Sequence, residues 1–198
     1  MSVMQVVKEV CPDTPVVNCS FPDLTNFVLS KVGLAPTAGI GNVSMLEMIA
    51  KNVIRNSGNY DDKENILVLA HHAHVLPVLR NNAAELSQQP LVFCNEKKLE
   101  KVFEQVELSL SDEEINHFTA ISAMPVVNGL LWQDRVVRCS APGALGIAGG
   151  IPIVIENGAI RADLPFGFTS SDMTNYFNEA LVLDGVSSVE NDGTVHFS

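Results

Sequence analysis

The chain has 198 residues and a formal net charge of −11, from 12 Lys+Arg against 23 Asp+Glu. Hydrophobic residues make up 46%, as in a globular protein long enough to bury a real core. So acidic a balance argues against a nucleic-acid or anionic-membrane surface, because phosphate binding needs clustered cations. The densest cationic group, Lys97, Lys98 and Lys101, is interleaved with Glu96, Glu100 and Glu104 and reads as a solvated face. Cys11, Cys19, Cys94 and Cys139 include no CxxC spacing, so neither a zinc knuckle nor a thioredoxin-type motif is present. The opening residues lack a basic, apolar signal segment, and no apolar stretch approaches a membrane span. A cytoplasmic protein with reduced thiols is the expectation.

Residues 3–10 have helical apolar spacing, and Pro12 and Pro15 stop that helix. Residues 15–20 read as a short strand. Residues 22–33 read as a helix with Leu24, Phe27, Val28 and Val32 on one face and Gly33 as its stop. After the strand or loop 35–42, Ser44-x-x-Glu47 predicts a capping box, with Met45, Met48, Ile49 and Val53 as the apolar face of the helix it opens. Residues 57–65 form a polar loop. Ile66 to Ala70 read as a buried strand running into His71 and His72, and residues 90–95 as another. Residues 96–107 fit an amphipathic helix or, alternatively, a hairpin extension.

Ser111-x-x-Glu114 predicts a second capping box and a helix turning Ile115, Phe118, Ile121 and Met124 inward, with Pro125 kinking or breaking it. Residues 136–142 and 151–160 read as strands around the Gly-rich 143–150, and Asn157-Gly158 predicts a tight hairpin turn. Thr169-x-x-Asp172 opens a last helix with Met173, Phe177, Ala180 and Leu181 on one face. A further turn is expected at Asp192-Gly193. The order is α/β at the start and then α+β with hairpins, as one domain over 1–198.

Three of the five histidines, His71, His72 and His74, lie within four positions at the end of a buried strand. Strand periodicity puts His72 and His74 on one face and His71 on the other. Imidazole exchanges protons near neutrality, so a catalytic role is one reading. A His72–His74 clamp on a divalent metal is a second, though two ligands do not complete a site. Polar strand-end residues with satisfied hydrogen bonds are a third. Gly39-Ile40-Gly41-Asn42 precedes a helix whose N-terminus could face an anion, but a lone GxG is weak evidence. The glycines of 143–150 precede a strand, which is the wrong context for a phosphate loop. There is no GxSxG elbow. Asp61, Asp62, Glu64, Asp112, Glu113 and Glu114 fall in loop and cap positions and read as solvated.

The order Cys11-Pro12-Asp13, strand 16–19, Ser20-Phe21-Pro22, helix, Gly39-Ile40-Gly41 resembles a segment of the lactate/malate dehydrogenase superfamily, which includes the NAD- and metal-dependent family 4 glycosidases. "AHHAHVLP" stands where those proteins carry their catalytic histidine, and His72 fits that slot best. "GGIPIVIENGAIRADLP" resembles their strand–Asn-Gly–strand hairpin, and the last helix their closing helix. The resemblance implies a C-terminal-domain-like fold of the dehydrogenases: a mixed sheet with hairpins and flanking helices. In it 1–42 is the remnant of a Rossmann-like sheet and 43–198 a substrate-type domain. It implies His72 as the catalytic histidine with His74 or Asn42 nearby as its orienter or ligand, and Asn18, Gly39, Gly41 and Asn42 beside substrate and cofactor; the family's metal-binding Cys-His is replaced here by Gly41-Asn42.

The sequence also departs from the family. The first half of the Rossmann domain, with its glycine fingerprint and acidic ribose-binding residue, has no counterpart. Phe21 replaces the asparagine of Asn-Pro. The aspartate that orients the histidine and the arginine that clamps the substrate have no matching residue, and Glu47 reaches the aspartate's place only after a shift of register. The expectation is an incomplete or split NAD-linked oxidoreductase-like protein acting on a hydroxylated small molecule. NAD or NADP would bind only with a partner chain, and the apolar strands 16–19 and 66–70 would be covered by a second subunit or a rearranged sheet. A homo-oligomer or a separate nucleotide-binding subunit is expected. The alternative is a non-catalytic binding or assembly module that kept the fold.

Overall fold

The computed structural model describes residues 2–58, 60–61, 64–132 and 134–198. Part of the expected polar loop 57–65, with Asp62, lies outside the described residues. The chain has the mixed α/β to α+β make-up expected of it: small sheets with hairpins, flanked by helices. Helix α1 (Ser2–Val10) precedes β1 (Val17–Asn18), α2 (Pro22–Lys31), β2 (Ala38–Gly39) and α3 (Val43–Asn56). Strands β1 and β2 pair in parallel, Val17 with Ala38 and Asn18 with Gly39.

Strand β3 (Ile66–Leu69) is buried along its whole length and pairs antiparallel with β4 (Leu91–Cys94), which pairs with β5 (Lys97–Leu99). The alternation of a two-sided wall separates two cores. Leu67, Leu69 and Phe93 face a core shared with β6 (Val136–Pro142), β7 (Gly150–Glu156) and α6 (Ser170–Leu183). Ile66, Val68, Val92 and Cys94 face the other, filled by Leu46, Ile49 and Ile54 of α3. Each such side chain contributes roughly 1.5–3 kcal/mol by leaving water. Strand 66–69 is therefore covered by the chain's own sheets and helices, not by a second subunit.

Strands β7 and β8 (Ala159–Ala162) form the predicted hairpin. Asn157 and Gly158 both have positive φ, 52° and 76°, as a two-residue turn that follows strand twist requires. The capping boxes at Ser111/Glu114 and Thr169/Asp172 form as predicted, opening α5 (Asp112–Leu131) and α6. Strands β9 (Val186–Val189) and β10 (Val195–Phe197) close the chain as a hairpin around Asp192-Gly193.

Two local expectations fail, at the face of α5 and the cap of α3, because tertiary contacts overrode local pattern. Of the two readings of 96–107 the hairpin extension forms: β5 continues it, and a 3-10 turn follows over Val102–Gln105. Pro125 does not break α5, which runs on to Leu131. Helix α5 buries Ser122, Ala123, Val126, Gly129 and Leu130, leaving Ile121 and Met124 outward. At α3 the N-cap is Asn42, and Ser44 and Glu47 form no capping box. Both reach instead to β6: Ser44 Oγ donates to the Ser140 carbonyl at 2.8 Å, and the Ser140 N–H donates to Glu47 at 2.7 Å.

Between β3 and the histidines a single bridge joins the sheets: Ala70 and Gly150 exchange both backbone bonds, at 3.1 and 2.8 Å. Gly150 has to be glycine, since a Cβ there would lie 2.1 Å from Cγ1 of Val43. That bridge brings the start of helix α3 to the end of β3. It thereby sets the mouth where His71 and its neighbours sit.

Candidate functional site

Strand β3 ends at Leu69, one residue before the bridge, so His72 and His74 do not share a strand face. They lie in a 3-10 turn (His72–His74) that leads into helix α4 (Val75–Leu79). Two imidazoles hold this turn in a reciprocal cap. The His71 N–H donates to Nδ1 of His74 at 2.9 Å, and Nδ1 of His71 accepts from the Ala73 N–H at 3.3 Å. Each ring uses Nδ1 as an acceptor, so in its neutral form the proton sits on Nε2. Both side chains are buried. Burial holds His71 down to about 4 and His74 to about 3, so both are neutral near pH 7. His74 is thus a folding element, not the partner of His72 in a metal clamp. Among the described residues no group of three His, Cys, Asp or Glu side chains is arranged to hold a metal ion.

His72 differs from its neighbours. Its side chain is 31% exposed, and its Nδ1 lies 3.2 and 3.3 Å from the two oxygens of Asp184, at the C-terminal cap of α6. The hydrogen bond to Asp184 raises its pKa, against the smaller opposing effect of burial. For Asp184 burial pushes upward, but the His72 hydrogen bond and the neighbouring imidazole charges outweigh it and hold the carboxyl below its usual range. A neutral His72 donates Nδ1–H to the carboxylate and keeps Nε2 as its basic nitrogen. That is the arrangement in which a carboxylate fixes tautomer and orientation for a proton-accepting imidazole. The anchor on the other side is Tyr176 of α6, whose hydroxyl donates to the carbonyls of Gln89 and Leu69 at 3.0 and 3.3 Å.

The other side of the mouth comes from α2 and the turn before α3. Phe21, left-handed at φ 47°, caps α2 and sets its ring 4.4 Å from that of His72. Asp23 follows in the first turn and is buried. Its Oδ2 accepts from Nδ2 of Asn42, and its Oδ1 has no hydrogen-bond partner among the described residues. Burial lifts its pKa to about 6, with Asn42 and the charge of His72 pulling back. Asn42 is itself unusual, at φ 44° and ψ −109°, and spends its side chain on Asp23 without capping α3. Two non-glycine residues of positive φ thus line this side, Phe21 against the His72 ring and Asn42 against Asp23.

The remaining expected site residues serve the scaffold. Nδ2 of Asn18 donates to Oδ1 of Asn26 at 2.9 Å and to the Ser20 carbonyl at 3.1 Å. A Cβ on Gly39 would lie 2.2 Å from Cβ of Pro22 and 2.5 Å from the Pro142 carbonyl oxygen, and one on Gly41 3.1 Å from the Thr119 methyl. The Cβ side of Gly39 is thus packed by protein, and the amides of Asn18 and Asn42 are committed to Asn26, Ser20 and Asp23. Glu47 does not replace the missing aspartate, because Lys51 at 2.6 Å and the Ser140 N–H occupy its oxygens. The sequence reading missed Asp184 and Asp23. Asp184-Gly185 has the composition of a helix end and Asp23 follows Pro22 as an acid in a first turn, but neither carries a motif.

Two clefts among the described residues lie elsewhere. One, of about 540 Å³, runs between α3, Phe118 of α5 and residues 106–108; the other, of about 460 Å³, is lined by Glu47, Lys51, Arg138 and Asp163. Among the described residues no helix is long and apolar enough to cross a membrane.

No protein-family model matches the sequence, and no curated protein matches it. Solved structures do show a likeness. The malate dehydrogenase of Aeropyrum pernix is 16% identical with a TM-score of 0.45, over 91% of this chain and 66% of that one. The malate dehydrogenase of Plasmodium falciparum is 14% identical with a TM-score of 0.48, over 96% of this chain and 66% of that one. The chain thus spans about 66% of the length of each.

Proposed function

We propose that the chain is the substrate half of an incomplete or split NAD-linked oxidoreductase-like protein. Its His72 accepts the proton of a hydroxyl on a small molecule, a hydroxy acid or a sugar derivative. One observation carries this reading: Nδ1 of His72 is held by Asp184 at 3.2 Å while the ring stays partly open to solvent. Asp184 stabilises the imidazolium that forms on proton uptake, and Phe21 limits the directions from which a ligand reaches the ring. The nucleotide belongs to a separate chain in this reading, which the packing of Pro22 and the Pro142 carbonyl against the Cβ side of Gly39 supports.

Calorimetric titration tests both parts. The purified chain is expected to bind members of a 2-hydroxy-acid and aldonate panel, to lose that binding in His72→Gln, and to show no heat with NAD. Tight stoichiometric binding of NAD by this chain alone would contradict the split reading. Binding that His72→Gln leaves intact would contradict the role of His72. A second reading, a non-catalytic assembly module that kept the fold and lost the cofactor site, is favoured by the filled space around Gly39. It predicts no heat with any of these ligands.

A further inference from the structure

Phe21 stands against the histidine of the 71–74 turn that solvent reaches. Its ring centroid lies 4.4 Å from that of His72, tilted by 47°, yet the residue is still 55% exposed. Exposed apolar side chains are ordinary when scattered singly. This one is fixed beside the imidazole that a ligand's hydroxyl would meet. The first turn of α2 holds its backbone: the Thr25 N–H donates to the Phe21 carbonyl at 2.9 Å, and Pro22 fixes the next φ. The open part of the ring leaves water when an apolar group lies on it, which favours binding of such a group.

The charges around His72 point the same way. Asp184 and Asp23 both act on it, and the charged groups that act on these three residues are one another, His71 and His74. No Lys or Arg is among them. Lys51 and Arg138 line a different cleft, beside Ile66 and Leu67, at the opposite end of β3 from the histidines. Among the described residues the site thus offers a ligand the His72 imidazolium as its cation and sets two carboxylates near it. A second carboxylate on the ligand would find repulsion from Asp23 and Asp184 and no counter-ion. An apolar substituent would find Phe21.

We propose that Phe21 determines which ligand the site takes. Its exposed ring is the platform for an aromatic or branched apolar substituent, so the hydroxyl that meets His72 belongs to a 2-hydroxy acid with such a side chain and not to a dicarboxylic one. The inference rests on the role of His72 proposed above and narrows its substrate class. Contact between two rings strengthens such a pairing beyond the area it buries. Phe21 itself takes no part in proton transfer; its contribution is to affinity, and it grows with the apolar side chain of the ligand.

Titration of the purified chain with phenyllactate, lactate and malate, followed through the His72 ring signals in NMR at pH 7, tests it. Phenyllactate is expected to bind about tenfold tighter than lactate, and malate no tighter than lactate. Phe21→Asn removes the ring but suits the backbone, because asparagine tolerates the positive φ of 47° at this position. With an unchanged far-UV spectrum, it is expected to cut the preference for phenyllactate to about threefold or less. Phe21→Tyr keeps a ring and is expected to keep the preference. A wild type that binds malate as tightly as phenyllactate, or a preference that survives Phe21→Asn, overturns the inference and leaves the role of His72 standing. Ring signals indifferent to all three acids overturn that role, and the specificity with it.

Discussion

Nδ1 of His72 and the carboxylate of Asp184 meet at 3.2 Å although 112 positions separate them. The pair joins the turn after β3 to the C-cap residue of α6, so the proton chemistry of the site depends on how the closing helix docks. Because the hydrogen bond raises the pKa of His72, its contribution to stability is present below the unfolded value of 6.5 and is lost as pH rises through the folded value. Asp184→Asn is expected to lower the His72 titration midpoint and to cost about 1 kcal/mol at pH 6, less at pH 8. Ring-proton NMR and urea denaturation at both pH values check it. An unchanged midpoint would sink the pairing.

His71 and His74 act in the opposite sense. Their folded pKa values, about 4 and about 3, lie below the unfolded 6.5, so the unfolded chain takes up protons first as pH falls. The fold should lose stability below about pH 6.5, on the order of 3 kcal/mol or more for each ring by full protonation. His74→Leu also strands the His71 N–H, at about 1–3 kcal/mol near neutrality, but should flatten the acid slope. Thermal melts from pH 7.5 to 4.5 separate the two effects, and an equally steep slope in the variant would count against a buried neutral His74.

Asp23 runs against that trend. Its pKa is raised from 3.8 to about 6, so the folded state holds the proton more tightly and loses stability as pH climbs through that window. Keeping the buried carboxylate ionised near pH 7 costs about 3 kcal/mol. Asp23→Asn keeps an acceptor for Asn42 without the charge. It is therefore expected to raise the melting temperature at pH 7.5 and to change it little at pH 4. A uniform loss at both pH values would mean that packing, not ionisation, dominates at this position.

Gly39→Ala tests whether the glycine is a packing residue or a ligand contact. Its new methyl would collide with Pro22 and with the Pro142 carbonyl, so a loss of about 3 kcal/mol is expected in denaturant titration. Stability within 0.5 kcal/mol of wild type, about the effect of a surface change, would mean that the space beside Gly39 is open and would remove the main argument against a nucleotide there.

Much of the fold was legible because it is locally encoded. The capping boxes at Ser111 and Thr169, the Asn157-Gly158 turn and the apolar run from Ile66 each fix their element within a few residues. Ser44 and Glu47 have the same local signature, yet both oxygens turn to Ser140, 96 and 93 positions away. The site was less legible for the same reason. Helix α2 looked apolar through Leu24, Phe27, Val28 and Val32, but the residues it buries are Pro22, Asp23, Asn26 and Leu29. A polar residue buried by a distant loop has no periodicity of its own. Asp23 and Asp184 therefore carry no signal in the sequence. The sequence leaves 96–107 open between helix and hairpin and misplaces the inward face of α5, because propensity and period say nothing about which side of an element the rest of the chain covers.

The account rests on His72 as the proton-accepting group, and ring-resolved NMR of the three histidines measures that most directly. Titrated from pH 4 to 9, His72 is expected to show a midpoint above the usual 6.5, while His71 and His74 stay neutral down to about pH 4. Adding 2-hydroxy acids at pH 7 should shift the His72 ring signals saturably, with the effect lost in Asp184→Asn. A His72 midpoint at or below the ordinary value, with ring signals indifferent to every hydroxy acid, would contradict the account.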